Sequence, residues 1–262
     1  MANTALLLFC FNTPMPIAVI PARYDSKRFP AKVLADKTGK PLIQHVVERV
    51  QQAQSIERII VATDDQRIFD AVAAFGCDVA MTRTGHPNGT SRIAEVVSTL
   101  REDESPFIVN VQGDEPEIEP SVIDELVKGL MSQPAPKDGG AHMATLASDF
   151  ADDEDPSNPN IVKLVVDQRG FAMYFSRSII PFDRDGVGAP PLKHPGLYAY
   201  RRDFLLEYVK LEPTPLEQTE QLEQLRAIEH GYRIAVIKTV VRHHGVDTPE
   251  QYEDFVRRYN DS

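Results

Sequence analysis

Arg23, Lys27, Arg28 and Lys32 lie close together in the stretch Ile17-Ala-Val-Ile-Pro-Ala-Arg-Tyr-Asp-Ser-Lys-Arg-Phe-Pro-Ala-Lys32. The chain as a whole is acidic, with 28 Lys and Arg against 39 Asp and Glu and a net charge of −11. Four cations on one short segment of such a chain point to a local anionic ligand, and a polyphosphate is the obvious candidate. Arg offers a fork that matches phosphate oxygens, and Lys neutralises charge at a point. The plainer alternative is a surface loop of solvated charges, and the loop alone leaves both readings open.

A second group is Asn110-Val-Gln-Gly-Asp-Glu-Pro116. A strand ending at Gln112 and a turn at Gly113 would project Asp114 and Glu115 from a sheet edge. One carboxylate there can hold Mg2+ while substrate phosphates supply further ligands; an acidic turn capping the next helix is the bland alternative. A third group is His243-His-Gly-Val-Asp247, where Asp247 is a candidate second Mg2+ ligand converging on Asp114. Its alternative role is helix N-terminal electrostatics, worth about 0.3–1 kcal/mol. The paired histidines read as loop residues, because neighbours at a strand end seldom chelate one ion.

These groups need a scaffold that brings them to one edge. The first half alternates strand-like and helix-like segments: strands over 17–22, 58–63, 77–82 and 107–112, helices over 41–54, 65–75, 90–100 and 121–131. Such alternation predicts an α/β fold, a mostly parallel sheet with helices on both faces, whose ligands sit beyond the carboxyl ends of the strands. The second half changes rhythm. Strands are expected over 142–148, 197–202 and 233–240, and a hairpin over 160–167 and 171–177. Helices are expected over 203–210 and 216–230. Thr248-Pro-Glu-Gln251 is a capping-box start for a last helix. One domain over 15–262 with an inserted β subregion near 160–202 is favoured, after an extension over 1–14.

Composition excludes several classes. So acidic a chain lacks the broad basic face of a nonspecific nucleic-acid binder and the polybasic clusters drawn to anionic membranes. Cys10 and Cys77 form no CxxC pair, which removes a disulfide framework and a cysteine zinc site. The apolar Ala5–Phe11 run is too short to span a membrane and lacks signal-peptide flanks, so a cytoplasmic protein is expected, with Met15 a plausible alternative start. Neither a P-loop nor a dinucleotide fingerprint occurs.

Taken together, the Pro21–Lys32 loop, Val61-Ala-Thr-Asp64, Met81-Thr-Arg83, Gly89-Thr90 and Asn110–Pro116 resemble the sugar cytidylyltransferases. Asn158-Pro-Asn-Ile-Val-Lys163, Tyr174-Phe-Ser-Arg-Ser178, His194-Pro-Gly-Leu-Tyr198, Pro215-Leu-Glu217, Leu222-Glu-Gln-Leu-Arg226 and Gly245-Val-Asp-Thr-Pro249 narrow the likeness to the 3-deoxy-manno-octulosonate (KDO) cytidylyltransferases. The likeness runs from about Met15 to the C-terminus. Two departures stand out: Ala31 occupies a place where glycine is expected, and the Asp183–Lys193 segment looks short.

The resemblance implies a Rossmann-like sheet of the nucleotide-diphospho-sugar transferase type, CTP and KDO as substrates, Mg2+ as cofactor, and a homodimer. It implies that Ala22, Arg23, Ser26, Arg28 and Lys32 hold the triphosphate. Thr63, Asp64, Arg83 and Gln112 would frame the nucleotide, and Asp114 and Asp247 would bind the metal, with Lys32, Asp114 and Asp247 as the catalytic set. For the sugar, which needs a cation and many polar partners, the candidates are Arg177, His194, Tyr198, Glu220, Glu223 and Gln224. Residues 220, 223 and 224 fall at i, i+3, i+4 spacing on the expected helix and so share one face; an exposed polar helix face is the plainer alternative. Rival readings are a cytidylyltransferase for another acidic sugar such as sialic acid, a glycosyltransferase of similar fold, and a catalytically silent CTP-binding regulator. The glycosyltransferase usually carries Asp-x-Asp where this chain has Gly113-Asp-Glu115. The regulator should have lost Lys32, Asp114 or Asp247, and all three are present.

Overall fold

A computed structural model of the chain describes residues 15–26, 28–186, 188–240 and 245–261. The Ala5–Phe11 run, Cys10, Lys27, His243 and His244 lie outside the described residues.

The first half builds strands β1 (Ile17–Ala22), β2 (Arg58–Thr63), β3 (Asp78–Met81) and β4 (Phe107–Asn110). They alternate with helices α1 (Leu42–Val50), α2 (Gln66–Ala74), α3 (Gly89–Thr99) and α4 (Pro120–Met131). β1 pairs in parallel with both β2 and β4, and β2 with β3. Flanked on both sides, β1 is fully buried over Ala18–Ile20, which is why its sequence is a continuous apolar run rather than an alternating one. Its side chains alternate between two cores. Ala18 and Ile20 pack with Val46 of α1, Ile68 of α2 and Leu126 of α4, while Ile17 and Val19 pack with Ile93 and Val97 of α3. The predicted two-faced α/β sheet is therefore present. α1 stops at Val50, short of Gln54, because Ala53 N–H turns back to Val50 O in a tighter turn.

The second half adds β5 (Met143–Asp149), β6 (Lys163–Val166), β7 (Ala172–Ser176), β8 (Leu192–Lys193), β9 (Tyr198–Arg201) and β10 (Ile234–Lys238). Its helices are α5 (Arg202–Tyr208), α6 (Pro215–Glu220), α7 (Gln224–Glu229) and α8 (Pro249–Asn260). β9 inserts antiparallel between β4 and β5, so the central sheet continues through it, and β10 runs parallel to β5. β6, β7 and the short β8 form the antiparallel portion, with Lys193 of β8 paired to both Ser148 and Lys163. Thr248 caps α8 with the expected reciprocal Gln251 box.

One expected helix is two. The 216–230 segment breaks at Gln221, which adopts a left-handed conformation with φ 55°. The break is stabilised from outside: Arg177 donates to the carbonyls of Glu220 (2.8 Å) and Gln221 (3.4 Å), drawing them out of the helical ladder. Glu220, at the end of α6, turns to accept from Ser176 Oγ at 2.6 Å and Arg177 N–H at 2.9 Å. Residues 220, 223 and 224 thus do not share one helix face. Among the described residues no helix is long and apolar enough to cross a membrane.

Candidate active site

The carboxyl ends of β1 and β4 open onto a cavity of about 670 Å³ lined by Ala22, Arg23, Ser26, Arg28, Lys32, Gln112, Asp114 and Asp247. The three sequence groups meet here. Lys32 is almost buried, and its ammonium donates to Asp114 Oδ2 at 2.6 Å, Asp247 Oδ1 at 3.0 Å and the Val246 carbonyl at 2.9 Å. Arg28 reaches Asp247 Oδ2 at 2.8 Å. Val246 N–H donates to Asp114 O at 2.7 Å, zipping the two acidic loops together. Gly113 is small for a reason: a Cβ there would lie 3.0 Å from the Pro21 carbonyl, so a side chain would push the Asp114 turn off the end of β1.

The cavity also receives side chains that motif reading passed over. Asn88 caps α3 by accepting from Ser91 N–H at 2.9 Å, and the first turn of that helix, at Gly89, lines the cavity. Unsatisfied N–H groups and the helix dipole at such an end favour an anion. The signal was available in the sequence, since Asn before Gly-Thr and an apolar-periodic run marks a helix start. His86 lines the same wall, its ring bonded to Ser91 Oγ and Glu95. Arg92, 6% exposed, donates to Thr82 Oγ1 and to Asp64 Oδ2 at 2.8 Å.

Thr63, Asp64 and Arg83 are not among the residues lining this cavity. Thr63 is fully buried, and its hydroxyl accepts from Asp65 N–H. Asp64 is engaged with Arg92, and the exposed Arg83 with Glu95. Asp64 thus reaches the cavity only through Arg92, which does line it.

A second cavity of about 490 Å³ adjoins the first, and Gly89, Gln112 and Glu223 line both. His194, Tyr198, Glu223 and Gln224 line it as expected, with Asn110, Tyr200, Tyr208, Glu154 and Lys193 besides. Glu223 accepts from Thr90 Oγ1 at 2.9 Å, and burial raises its pKa. Thr145 gives its hydroxyl proton to Leu197 O at 2.7 Å. The 2.8 Å contact between Thr145 Oγ1 and His194 Nε2 must then carry the imidazole proton. Burial pushes His194 down to about 3, so the ring stays neutral. Asn110 Oδ1 is buried without a hydrogen-bond partner, an acceptor available to a hydroxyl-bearing ligand.

Arg177 and Glu220 do not line this cavity. The Arg177 guanidinium is taken by the carbonyls of Pro159, Glu220 and Gln221, and Glu220 by the start of the loop after β7. Their shared role is to hold the α6–α7 corner. Arg177, expected on the sugar side, is thus placed against backbone carbonyls rather than in the lining of this cavity.

A cationic loop facing two carboxylates, beyond the carboxyl edge of a doubly wound sheet and beside a polar second cavity, defines a nucleotide-binding α/β protein of transferase type. Residues 17–234 match the model of the cytidylyltransferase family. The chain is 48% identical over 252 residues to a 3-deoxy-manno-octulosonate cytidylyltransferase of Geobacter sulfurreducens, covering 92% of this chain and 98% of that one. It is 48% identical over 247 residues to the protein of that name from Solibacter usitatus, with 94% and 95% covered. A solved structure of CMP:2-keto-3-deoxy-manno-octonic acid synthetase complexed with CTP superimposes with a TM-score of 0.86 at 42% identity, covering 94% of this chain and 99% of that one. The chain belongs to the cytidylyltransferase family, in its 3-deoxy-manno-octulosonate branch.

Proposed function

We propose that the protein transfers CMP from CTP to the anomeric 2-hydroxyl of KDO, giving CMP-KDO and pyrophosphate for lipopolysaccharide synthesis, in the cytoplasm. The observation that carries this reading is the shared wall: a cationic cavity and a polar, aromatic one lie on either side of Gly89, Gln112 and Glu223. One takes the triphosphate, the other the sugar acid.

In this mechanism Arg23, Arg28, Lys32 and the first turn of α3 hold the triphosphate, and Gln112 separates nucleotide from sugar. The sugar 2-oxygen forms a bond to the α-phosphorus while the bond from that phosphorus to the bridging β-phosphate oxygen breaks. Pyrophosphate leaves, and the hydroxyl proton passes to solvent or base. Positioning and charge neutralisation supply most of the rate in such transfers. The sugar hydroxyls meet Asn110 Oδ1, His194, Tyr198, Glu223 and Gln224 in the second cavity.

The donor set suits Mg2+. Asp114 and Asp247 both converge on one cationic point, the Lys32 ammonium, from two loops. Mg2+ commonly takes one or two carboxylates plus substrate phosphates rather than an all-protein cage. Asp114 and Asp247 would hold the ion, which supplies charge neutralisation at the phosphoryl oxygens and a more acidic attacking hydroxyl. A homodimer is part of the proposal: β7 and the loop after it expose Met173 (58%), Ile179 (48%) and Phe182 (88%), an apolar group suited to a second copy. The test is pyrophosphate release from CTP and Mg2+ with KDO and, separately, with sialic acid. Turnover with KDO well above sialic acid is expected; equal rates, or none with KDO, would overturn the reading.

A further inference from the structure

The second cavity holds an unusual charge balance for a site that takes an acid. Three acidic side chains line it, those of Glu115, Glu154 and Glu223, and burial pushes the Glu115 carboxyl up to about 8 and raises that of Glu223. Among the described lining residues Lys193 alone carries a permanent positive charge, since His194 is neutral. Two other cations of this region point elsewhere. Arg177 donates to three backbone carbonyls and does not line the cavity, and the Lys163 ammonium donates to the carbonyls of Asn158, Ile161 and Arg177.

Lys193 is firmly placed. Its backbone sits between β5 and β6, and its ammonium contacts both oxygens of Glu154, at 2.7 and 2.6 Å. The two side chains are only 12% and 15% exposed, so the pair is largely desolvated and charge-neutral as it stands. Glu154 sits on the loop after β5 and is steadied by Ala151 N–H at 2.8 Å. An ammonium has three protons, and one carboxylate does not exhaust them.

We propose that Lys193 is the cation that recognises the substrate's carboxylate, and that Glu154 occupies that place until substrate arrives. The proposal rests on the reading of this cavity as a sugar-acid site. Exchange of one carboxylate for another leaves the buried charge balanced, so a sugar acid can enter where a neutral sugar gains nothing. Glu154, released, moves toward solvent on its exposed loop.

The experiment compares KDO with its C1 amide, which keeps every hydroxyl and loses the charge. Turnover of KDO by the wild-type protein tests the cavity assignment, and its absence would overturn both readings. Given that turnover, Lys193→Met is expected to raise KM for KDO by about tenfold or more, leave KM for CTP unchanged, and abolish the preference for acid over amide. Lys193→Arg should retain the preference, and Glu154→Gln should lower KM for KDO. A Lys193→Met protein that still prefers the acid, or a Glu154→Gln protein whose KM for KDO rises as in Lys193→Met, would overturn the assignment of Lys193 alone and leave the pair as a structural clamp. Should Lys193→Met fail to fold, Lys193→Arg against Lys193→Gln gives the same comparison.

Discussion

The Lys32 ammonium lies 2.6 Å from Asp114 Oδ2, and the two residues are 82 positions apart in the chain. That contact joins the cationic loop to the acidic turn, and the second contact, to Asp247, closes the triangle. Lys32→Met should lower kcat by about 10²–10³-fold, the cost of removing one preorganised charge from phosphoryl transfer. It should cost about 1–3 kcal/mol of stability, less than a fully buried pair because Asp114 and Asp247 remain partly exposed. Asp114→Asn should abolish turnover with the fold intact by circular dichroism. An unchanged rate in either variant would remove that residue from the chemistry.

Arg177 acts at a distance from the reaction. Arg177→Ala frees the carbonyls of Pro159, Glu220 and Gln221 and should cost about 2–3 kcal/mol in urea unfolding. The loosened α6–α7 corner carries Glu223 and Gln224, so KM for the sugar should rise while KM for CTP stays level. Preference for the acid over its C1 amide should survive; its loss would return Arg177 to direct carboxylate contact.

Ala31 has φ 58° and ψ 18°, a left-handed conformation at the N-cap of the short turn containing Lys32. That conformation costs a residue with a Cβ about 1–2 kcal/mol, and glycine escapes it while losing about 0.5–1 kcal/mol through its freer unfolded state. Ala31→Gly should therefore stabilise the protein by up to about 1 kcal/mol, or roughly 2–4 °C in Tm. A lower melting temperature would show that the strain is absorbed elsewhere.

His194 gives a pH dependence with a definite sign. Its folded pKa is depressed to about 3, whereas in the unfolded chain it titrates near 6.5. Between those values the unfolded chain binds the extra proton, so stability falls as pH is lowered from about 6.5 toward 3, at up to about 1.4 kcal/mol per unit. His194→Gln should flatten that slope in urea titrations run at several pH values, whatever it does to absolute stability. An unaltered slope would show that the ring is protonated in the folded protein.

The local chemistry of this protein was written in the chain. The apolar run of β1 specifies a buried central strand because both its faces are covered, and alternation with helices specifies a parallel sheet, whose carboxyl edge gathers the loops that follow β1 and β4. Arg23, Arg28, Lys32 and Asp114 were legible for that reason. Gln221 was not, because nothing in its own neighbours forces a left-handed turn; the Arg177 guanidinium, 44 positions away, stabilises it. The same long-range contact places Arg177 against backbone carbonyls, outside the lining of the second cavity. Nothing in the type or spacing of Lys193 singles it out, and only the meeting of β5, β6 and β8 sets it beside Glu154 in a cavity wall. Residue type and spacing determined which groups were available for phosphate chemistry. Which cation faces the second cavity was decided by tertiary structure, because donors are claimed by whatever carbonyl or carboxylate the packed chain brings within reach.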